Sequence, residues 1–336
     1  MKKTIVEVAK ELNLSPSTIS KIVNGKGRIS EETRQRVLQY VKESGYVAMS
    51  SARILSSKKS WTIGVVYSDI SLIGFEHPFF SRILQAFKNE VERNGYEIVL
   101  IVSKLGDHEL TYLEWCKNKK VDGVLIVMGN VNNPNIIQLV SSDIPCISTD
   151  IVMSNLESVI SDDFQGVKIY LEYAKSQGYQ KVGIVSGPLT ARSFYNRLEA
   201  YRILMDQMHM PYEEDHIVIA DGFGYEAGEE VANIIYNSNH RAEIYLVMSD
   251  VIAFGVVKQL LNLGVSIPQD IAIIGYDDID FAKHFEPALS TIKQDTKMIG
   301  YTAAKRLLSV IEKPTTKKQM ITKIPVKLVH RKTTKQ

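Results

Sequence analysis

Only two cysteines occur in the 336 residues, Cys116 and Cys146, far apart and in neither a C-x-x-C pair nor a metal-ligand spacing. That excludes a disulfide framework, and a reduced, cytoplasmic protein is expected. No apolar run reaches the roughly 18 residues that a membrane span needs, so no membrane helix is expected. The opening MKKTIVEVAKE is basic but lacks the apolar stretch of an export signal. The seven histidines are scattered and form no metal motif, so neither a metal ion nor a cofactor is expected. The glycine-rich stretch Gly222-Phe223-Gly224-Tyr225-Glu226-Ala227-Gly228 has the wrong spacing for a dinucleotide loop. No P-loop, nucleophile elbow or histidine–carboxylate pairing stands out either, and catalysis is not expected.

What the chain does have is an uneven charge distribution. Residues 1–60 carry twelve Lys/Arg against five Glu, while the other 276 carry 28 Lys/Arg against 33 Asp/Glu. A basic amino-terminal module on a mildly acidic body suits a polyanion-binding head on a globular sensor.

Within that basic module, Thr4 to Asn24 read TIVEVAKELNLSPSTISKIVN. Thr4 and Glu7 fit a capping box. Ser15 followed by Pro16 fits a second helix start, with proline where its missing N–H costs nothing. Asn13-Leu14-Ser15 leaves room only for a tight turn. Val8 and Leu12 share one helix face, and Ile19, Ile22 and Val23 share another, so the two faces can meet. Pro16, Ser17, Thr18 and Lys21 then point outward. This is a helix-turn-helix whose second helix offers small polar groups and a cation, as a DNA major groove requires. A third helix is expected from an N-cap at Ser30 to Ser44, with Val37, Leu38 and Val41 packing on the first two.

These residues resemble the opening of the LacI/GalR family of bacterial transcription regulators, T-x-x-D-V-A-x-x-A-G-V-S-x-x-T-V-S-R-x-L-N. Identities fall at Thr4, Val8, Ala9, Ser15, Thr18, Ser20 and Asn24, and conservative replacements at Glu7, Leu14, Ile19 and Lys21. Asn13 stands where the family has a turn glycine, and asparagine enters the left-handed region more readily than most residues. Ala52-Arg53-Ile54-Leu55 resembles the family's hinge helix. By that resemblance Leu55 would enter the minor groove and bend the DNA. Just upstream, Tyr46-Val47-Ala48-Met49 keeps only the tyrosine of the family's Y-x-P-N, leaving Ser50 as the available cap.

From Trp61 onward, short β-branched runs alternate with amphipathic stretches. Strands are expected at Ile63–Tyr67, Ile98–Val102, Gly123–Val127, Cys146–Thr149, Val182–Val185, Ile217–Ala220, Ile244–Val247 and Ile271–Ile274. Helices are expected over 79–94, 109–118, 163–177, 193–208, 225–237 and 252–263. Alternation of this kind means parallel sheets with helices on both faces, and so many strands suggest two lobes. The resemblance implies a type I periplasmic-binding-protein fold crossed three times by the chain. The expected division is a helix-turn-helix headpiece over 1–45, a linker over 46–60 and a two-lobed α/β effector and dimerisation domain over 61–336. Its amino-terminal lobe would take about 61–161 and 292–323, and its carboxy-terminal lobe about 162–291 and 324–336. Crossings are thus expected near Ser161, Thr291 and residue 323.

Ligands of open parallel sheets lie beyond the carboxyl ends of strands, and several polar clusters fall there. Ser68 and Asp69 follow the first strand. His77-Pro78-Phe79-Phe80 resembles a family helix start that sets an aromatic ring against the effector. Asp150 follows the Cys146–Thr149 strand, and Arg192, Ser193 and Arg197 follow the 182–185 strand. By the resemblance, Arg197 forks onto effector hydroxyls or a carboxylate, Phe223 stacks on the ligand, Asp250 belongs to an N-D pair written here Ser249-Asp250, and Asp277 accepts from ligand hydroxyls. Arginine, carboxylates and an aromatic face suit a sugar; a nucleobase would also fit. The implied protein is a repressor-type regulator, controlled by a small molecule, that binds operator DNA as a homodimer. Val326–Arg331 resembles the family's final strand with no leucine heptads after it.

On operator DNA, Pro16, Ser17 and Lys21 would face base edges. Thr4, Ser15, Thr18, Ser20, Asn24 and Thr33 would contact or position phosphates. Lysine at position 21 keeps the charge of the family's usual arginine without its bidentate fork. Lys21→Ala is expected to cost about 1–3 kcal/mol at the matched site, read by gel shift; unchanged affinity would remove Lys21 from the interface.

Overall fold

The first helix begins where a side chain can satisfy its free N–H groups. Thr4 Oγ1 accepts from the Glu7 amide at 3.3 Å, and Glu7 Oε2 accepts from the Thr4 amide at 2.6 Å. The helix α1 (Ile5–Leu12) closes at Asn13, whose φ of 54° and ψ of 43° are left-handed. Ser15 Oγ accepts from the Thr18 amide at 3.1 Å to open α2 (Pro16–Val23), and Ser30 Oγ accepts from the Thr33 amide at 3.3 Å to open α3 (Glu31–Ser44). Val8, Ala9, Ile19, Ile22 and Val37 form the buried centre of this three-helix unit. Leu38 does not join it: its side chain is 44% exposed, and Tyr40 and Val41 pack there instead. The ring of Tyr40 fits because its hydroxyl stays at the edge, accepting from Lys3 Nζ at 2.6 Å.

The computed structural model describes residues 3–23, 27–44, 59–67, 74–102, 104–211, 213–313 and 320–335. The expected contributors Asn24, Leu55, Ser68 and Asp69, and the linker over 46–58, lie outside the described residues. The chain divides into two units, Met1–Trp61 and Thr62–Gln336.

The second unit is built from strand–helix alternation. In chain order come β1 (Thr62–Tyr67), α4 (Pro78–Arg93), β2 (Glu97–Ile101), a small hairpin of β3 (Lys104–Leu105) and β4 (His108–Glu109), α5 (Tyr112–Lys119), β5 (Gly123–Met128), α6 (Pro134–Ser141), β6 (Cys146–Ser148) and β7 (Glu157–Ser161). There follow α7 (Asp163–Ser176), β8 (Val182–Ser186), α8 (Arg192–Gln207), β9 (Ile217–Ile219), α9 (Tyr225–Asn237), β10 (Ile244–Val247), α10 (Asp250–Asn262), β11 (Ala272–Asp277), β12 (Ser290–Gln294), α11 (Thr296–Glu312), β13 (Met320–Ile324) and β14 (Val326–Val329). Two six-stranded sheets result, ordered β13-β7-β6-β5-β1-β2 and β14-β12-β11-β10-β8-β9. Every pairing is parallel except β12 with β14. Strands such as β5 and β11 are buried along their whole length, as sheets covered on both faces demand.

The chain passes between the lobes at Asp162, at Asp295 and at Pro325. The middle crossing, expected near Thr291, therefore falls three residues beyond Thr291, after Gln294. Residues 290–294 pair with β11 and β14 throughout, so 292–294 belong to the carboxy-terminal lobe. The helix expected from Glu109 starts instead at Tyr112. Thr111 and Glu114 form its capping box, and Lys104–Glu109 turn back on themselves as the hairpin.

Helices α9 and α10 cross at Gly228 and Gly255, whose Cα atoms are close enough that a Cβ on either would meet the other helix's backbone. Gly228→Ala is expected to cost about 1–3 kcal/mol by overpacking, despite alanine's better helix propensity. Urea unfolding of the variant reads it; an unchanged midpoint would show that the crossing can relax.

Candidate functional site

Each sheet reverses its winding between two neighbouring strands, β1 and β5 in the first and β8 and β10 in the second. Such switch points leave a crevice beyond the strand ends. The two crevices face one another across a cleft of about 780 Å³, its open mouth included. The amino-terminal lobe contributes His77, Phe79, Phe80, Met128, Asp150 and Ser161. The other lobe contributes Asp163, Arg192, Ser193, Phe194, Arg197, Phe223, Asp277 and Gln294. Of the residues singled out in the sequence, Phe79, Phe80, Asp150, Ser193, Arg197, Phe223 and Asp277 meet here.

Asp163 organises the charged side of the cleft. It is the first residue of α7, held by the Asp162 cap, and its carboxylate accepts from Arg197 Nε at 2.9 Å and from Arg192 Nη1 at 3.2 Å. Arg197 also donates to the Met248 carbonyl at 2.8 Å and lies 3.5 Å above the centre of the Tyr276 ring. Gly166 leaves the room that the Tyr276 hydroxyl needs under α7. Hydrogen bonds to two separate acceptors, together with ring stacking, hold this guanidinium, only 4% exposed, in one orientation against the cleft. Arg192 reaches across the lobes, donating from Nε to the Asp150 carbonyl at 2.5 Å.

Aromatic rings come from both lobes. Phe79 and Phe80 meet edge to face at 5.0 Å at the start of α4, with His77 4.9 Å from Phe80. Opposite, Phe194 and Phe223 stack at 5.8 Å with planes 25° apart. Among the described residues no group of His, Cys, Asp and Glu could hold a metal ion, and no helix is long and apolar enough to cross a membrane.

On the headpiece, Pro16, Ser17 and Lys21 are exposed on one side of α2, opposite buried Ile19 and Ile22. Thr4 is exposed, whereas Thr18, Ser20 and Thr33 are half-buried. The hydroxyls of Ser17 and Thr18 lie 2.7 and 2.8 Å from Ser15 Oγ, and Thr33 Oγ1 accepts from Ser30 at 2.8 Å. Those contacts fix the start of each helix.

Residues 4–48 match the bacterial regulatory proteins of the lacI family, and residues 171–334 match the periplasmic binding protein-like domain. The ribose operon repressor of Halalkalibacterium halodurans is 31% identical over 99% of this chain and 97% of its own. This chain belongs to the LacI family of bacterial transcription regulators. The Lac repressor dimer bound to operator and the anti-inducer ONPF shares its fold, with a TM-score of 0.82, 24% identity and 99% of both chains covered. A LacI-family regulator from Enterococcus faecium with bound ribose is 28% identical, with a TM-score of 0.68 over 81% of this chain and 98% of that one.

One expected cleft residue sits elsewhere. Asp250 is fully buried behind the wall, accepting from Thr291 Oγ1 at 2.6 Å and from the Ile279 amide at 2.9 Å. Its carboxylate caps the loop after β11, so it sets the position of Asp277 rather than facing the cavity. Asp277, with φ at 128°, accepts from Gln294 Nε2 at 2.6 Å. Sequence reading missed Asp163 and Gln294. Gln294 closes β12 and Asp163 lies just beyond β7, strands that are short and interleaved with polar residues; once those strands are drawn, the same strand-end rule reaches both.

Burial pushes the Asp277 carboxyl well above the usual range, the nearby Asp250 charge adds to this, and Arg197 opposes it. Desolvation raises Asp150 as well, against the pull of Arg192. A carboxyl raised in the folded state binds its proton more tightly there than when unfolded. The stability it contributes is complete below the ordinary carboxylate pKa of about 4 and is lost as pH climbs through the raised value. Asp277→Asn mimics the protonated form. It is expected to stabilise the protein at neutral pH by about 1–3 kcal/mol and to flatten the decline in stability above pH ~4. Thermal unfolding across pH measures it; a variant with the wild-type slope would show that Asp277 ionises normally.

Proposed function

We propose that the chain is a homodimeric repressor that reads operator DNA through α2 and is switched by a sugar or sugar derivative held in the interlobe cleft. The single observation that carries this reading is the cleft's chemistry, on the same chain as the helix-turn-helix. Arg197 is pinned by Asp163, a half-buried carboxyl group stands at Asp150 and a buried one at Asp277, and aromatic rings face in from both lobes. Sugar hydroxyls need paired donors and acceptors, while the C–H faces of the ring need apolar or aromatic walls. Ser193, Arg197, Asp150 and Asp277 would bind hydroxyls; Phe79, Phe80 and Phe223 would face the ring. The ribose-bound relative from Enterococcus faecium supports the same class. The stacked Phe194–Phe223 pair favours a second reading, a planar purine ring lying against it.

On DNA, Pro16, Ser17 and Lys21 would meet base edges, with Thr4, Ser15, Thr18, Ser20 and Thr33 setting the backbone register. Asn24 and Leu55 carry their roles only by resemblance. The protein would act in the cytoplasm, where its operator is, and without catalysing a reaction.

Ligand binding would shift the population of lobe arrangements and so the operator affinity, by a coupling of about 1–3 kcal/mol. A thermal-shift panel of sugars, sugar phosphates and purines identifies the effector, because a ligand that binds only the folded state raises Tm by mass action. Duplexes selected from a random pool then supply an operator for gel shifts. Arg197→Met is expected to lower effector affinity at least 100-fold, about 2.7 kcal/mol, while operator binding without effector persists. An operator affinity that never responds to the ligand found in the panel would overturn the allosteric reading.

A further inference from the structure

Beside the cleft, and sharing Ser161, Asp163 and Arg192 with it, lies a second groove of about 520 Å³. The shared residues are the thin wall at the first lobe crossing, where β7 ends and α7 begins. Phe164 and Ile203 face the groove and are 38% and 47% exposed, so together they offer an apolar surface there. Its charged groups are already neutralised. Lys323 lies 3.4 Å from Asp162, and Arg202 lies 3.2 Å from Glu199. What remains uncommitted is uncharged and polar. The buried Ser161 Oγ has no hydrogen-bond partner among the described residues, a state that costs free energy until a partner arrives.

An apolar ring face, a hydroxyl wanting a partner and no free charge describe a site for a neutral polyhydroxylated ring, not for a phosphate or a carboxylate. We propose that the effector is a two-ring carbohydrate, with one ring in the interlobe cleft and the second in this groove. The second ring lies on Phe164 and is hydrogen-bonded by Ser161 Oγ at the partition. Arg192, tied at once to Asp163 and to the Asp150 carbonyl, stands between the two rings. It moves aside or bonds the linking oxygen when the ligand enters. This rests on the reading of the cleft as the effector site.

Isothermal titration calorimetry on the full-length protein tests it, with maltose, cellobiose, trehalose and lactose set against glucose and galactose. At least one disaccharide is expected to bind tenfold or more tightly than its constituent monosaccharides. Phe164→Ala should remove that advantage by deleting the stacking face, and Ile203→Arg should remove it by filling the groove. Both positions are exposed and outside the cleft wall, so single-ring binding should survive in both variants. Monosaccharide binding with no disaccharide gain, or a gain untouched by both variants, overturns the second compartment alone and leaves the cleft reading standing. Failure of every sugar to bind overturns both.

Discussion

A single carboxylate, that of Asp163, lies where the chain first passes between the lobes, and it holds two arginines at once. Through Arg197 it fixes the donor that faces the cleft; through Arg192 it is linked to the Asp150 carbonyl on the opposite lobe. The helix that carries it starts immediately at the crossing, so any rotation of one lobe on the other moves this carboxylate relative to β7. Hinge geometry and binding chemistry therefore share atoms. Few residues could meet both demands. Glutamate adds a methylene that would shift both arginines, and asparagine offers only one acceptor oxygen.

Such a cluster is a poor investment for stability alone. Burying ion pairs costs desolvation that their mutual attraction seldom recovers. Asp277 and Asp250, both buried, add to that cost: desolvation raises the proton affinity of each, and the Asp250 charge raises that of Asp277 further. A fold that only had to be stable would replace these groups with hydrocarbon. Their retention fits a site kept ready for a polar ligand, whose hydroxyls exchange water for preplaced partners. The cores on either side supply the compensating free energy. The carboxy-terminal lobe has a continuous buried apolar cluster running through β8, β10 and β11, and the amino-terminal lobe has a smaller one around β5 and α5.

How much of this could be read from the sequence depends on the strength of local signals. The headpiece was fully legible up to its third helix, because capping residues and a short helical period leave one solution. The exception is Leu38: a helical wheel gives Leu38 and Tyr40 similar weight, and only tertiary packing places the tyrosine inside with its hydroxyl at the rim. Long buried strands such as Gly123–Met128 stood out as apolar runs. β7, β12 and β13 did not, since ESVIS, STIKQ and MITKI interleave polar residues. All three lie next to lobe crossings, where polar residues are useful, and so the hinge was the least legible part of the fold. The Ser249-Asp250 motif alone points Asp250 to the cleft, whereas its carboxylate is buried against Thr291 and the Ile279 amide. A local pattern cannot distinguish a carboxylate that faces a ligand from one that holds the loop bearing the ligand's acceptor.

Among the described residues, arginines tie the lobes together at two places, and their chemistry suggests how occupancy is sensed. Arg192 joins the Asp150 carbonyl, and Arg82 on α4 pairs with Asp280 while donating to the Asp278 carbonyl at 3.4 Å. Asp278 follows Asp277 directly, and it is itself clamped by Arg331 and by Lys293. The loop that presents the cleft's buried acceptor is thus the same loop that α4 grips from the other lobe. α4 also begins with the rings of Phe79 and Phe80. A ligand touching those rings and Asp277 together contacts both ends of this tie. It therefore binds one lobe arrangement more tightly than another, and only such a difference can shift an equilibrium; a ligand held entirely by one lobe, however tightly, would move nothing.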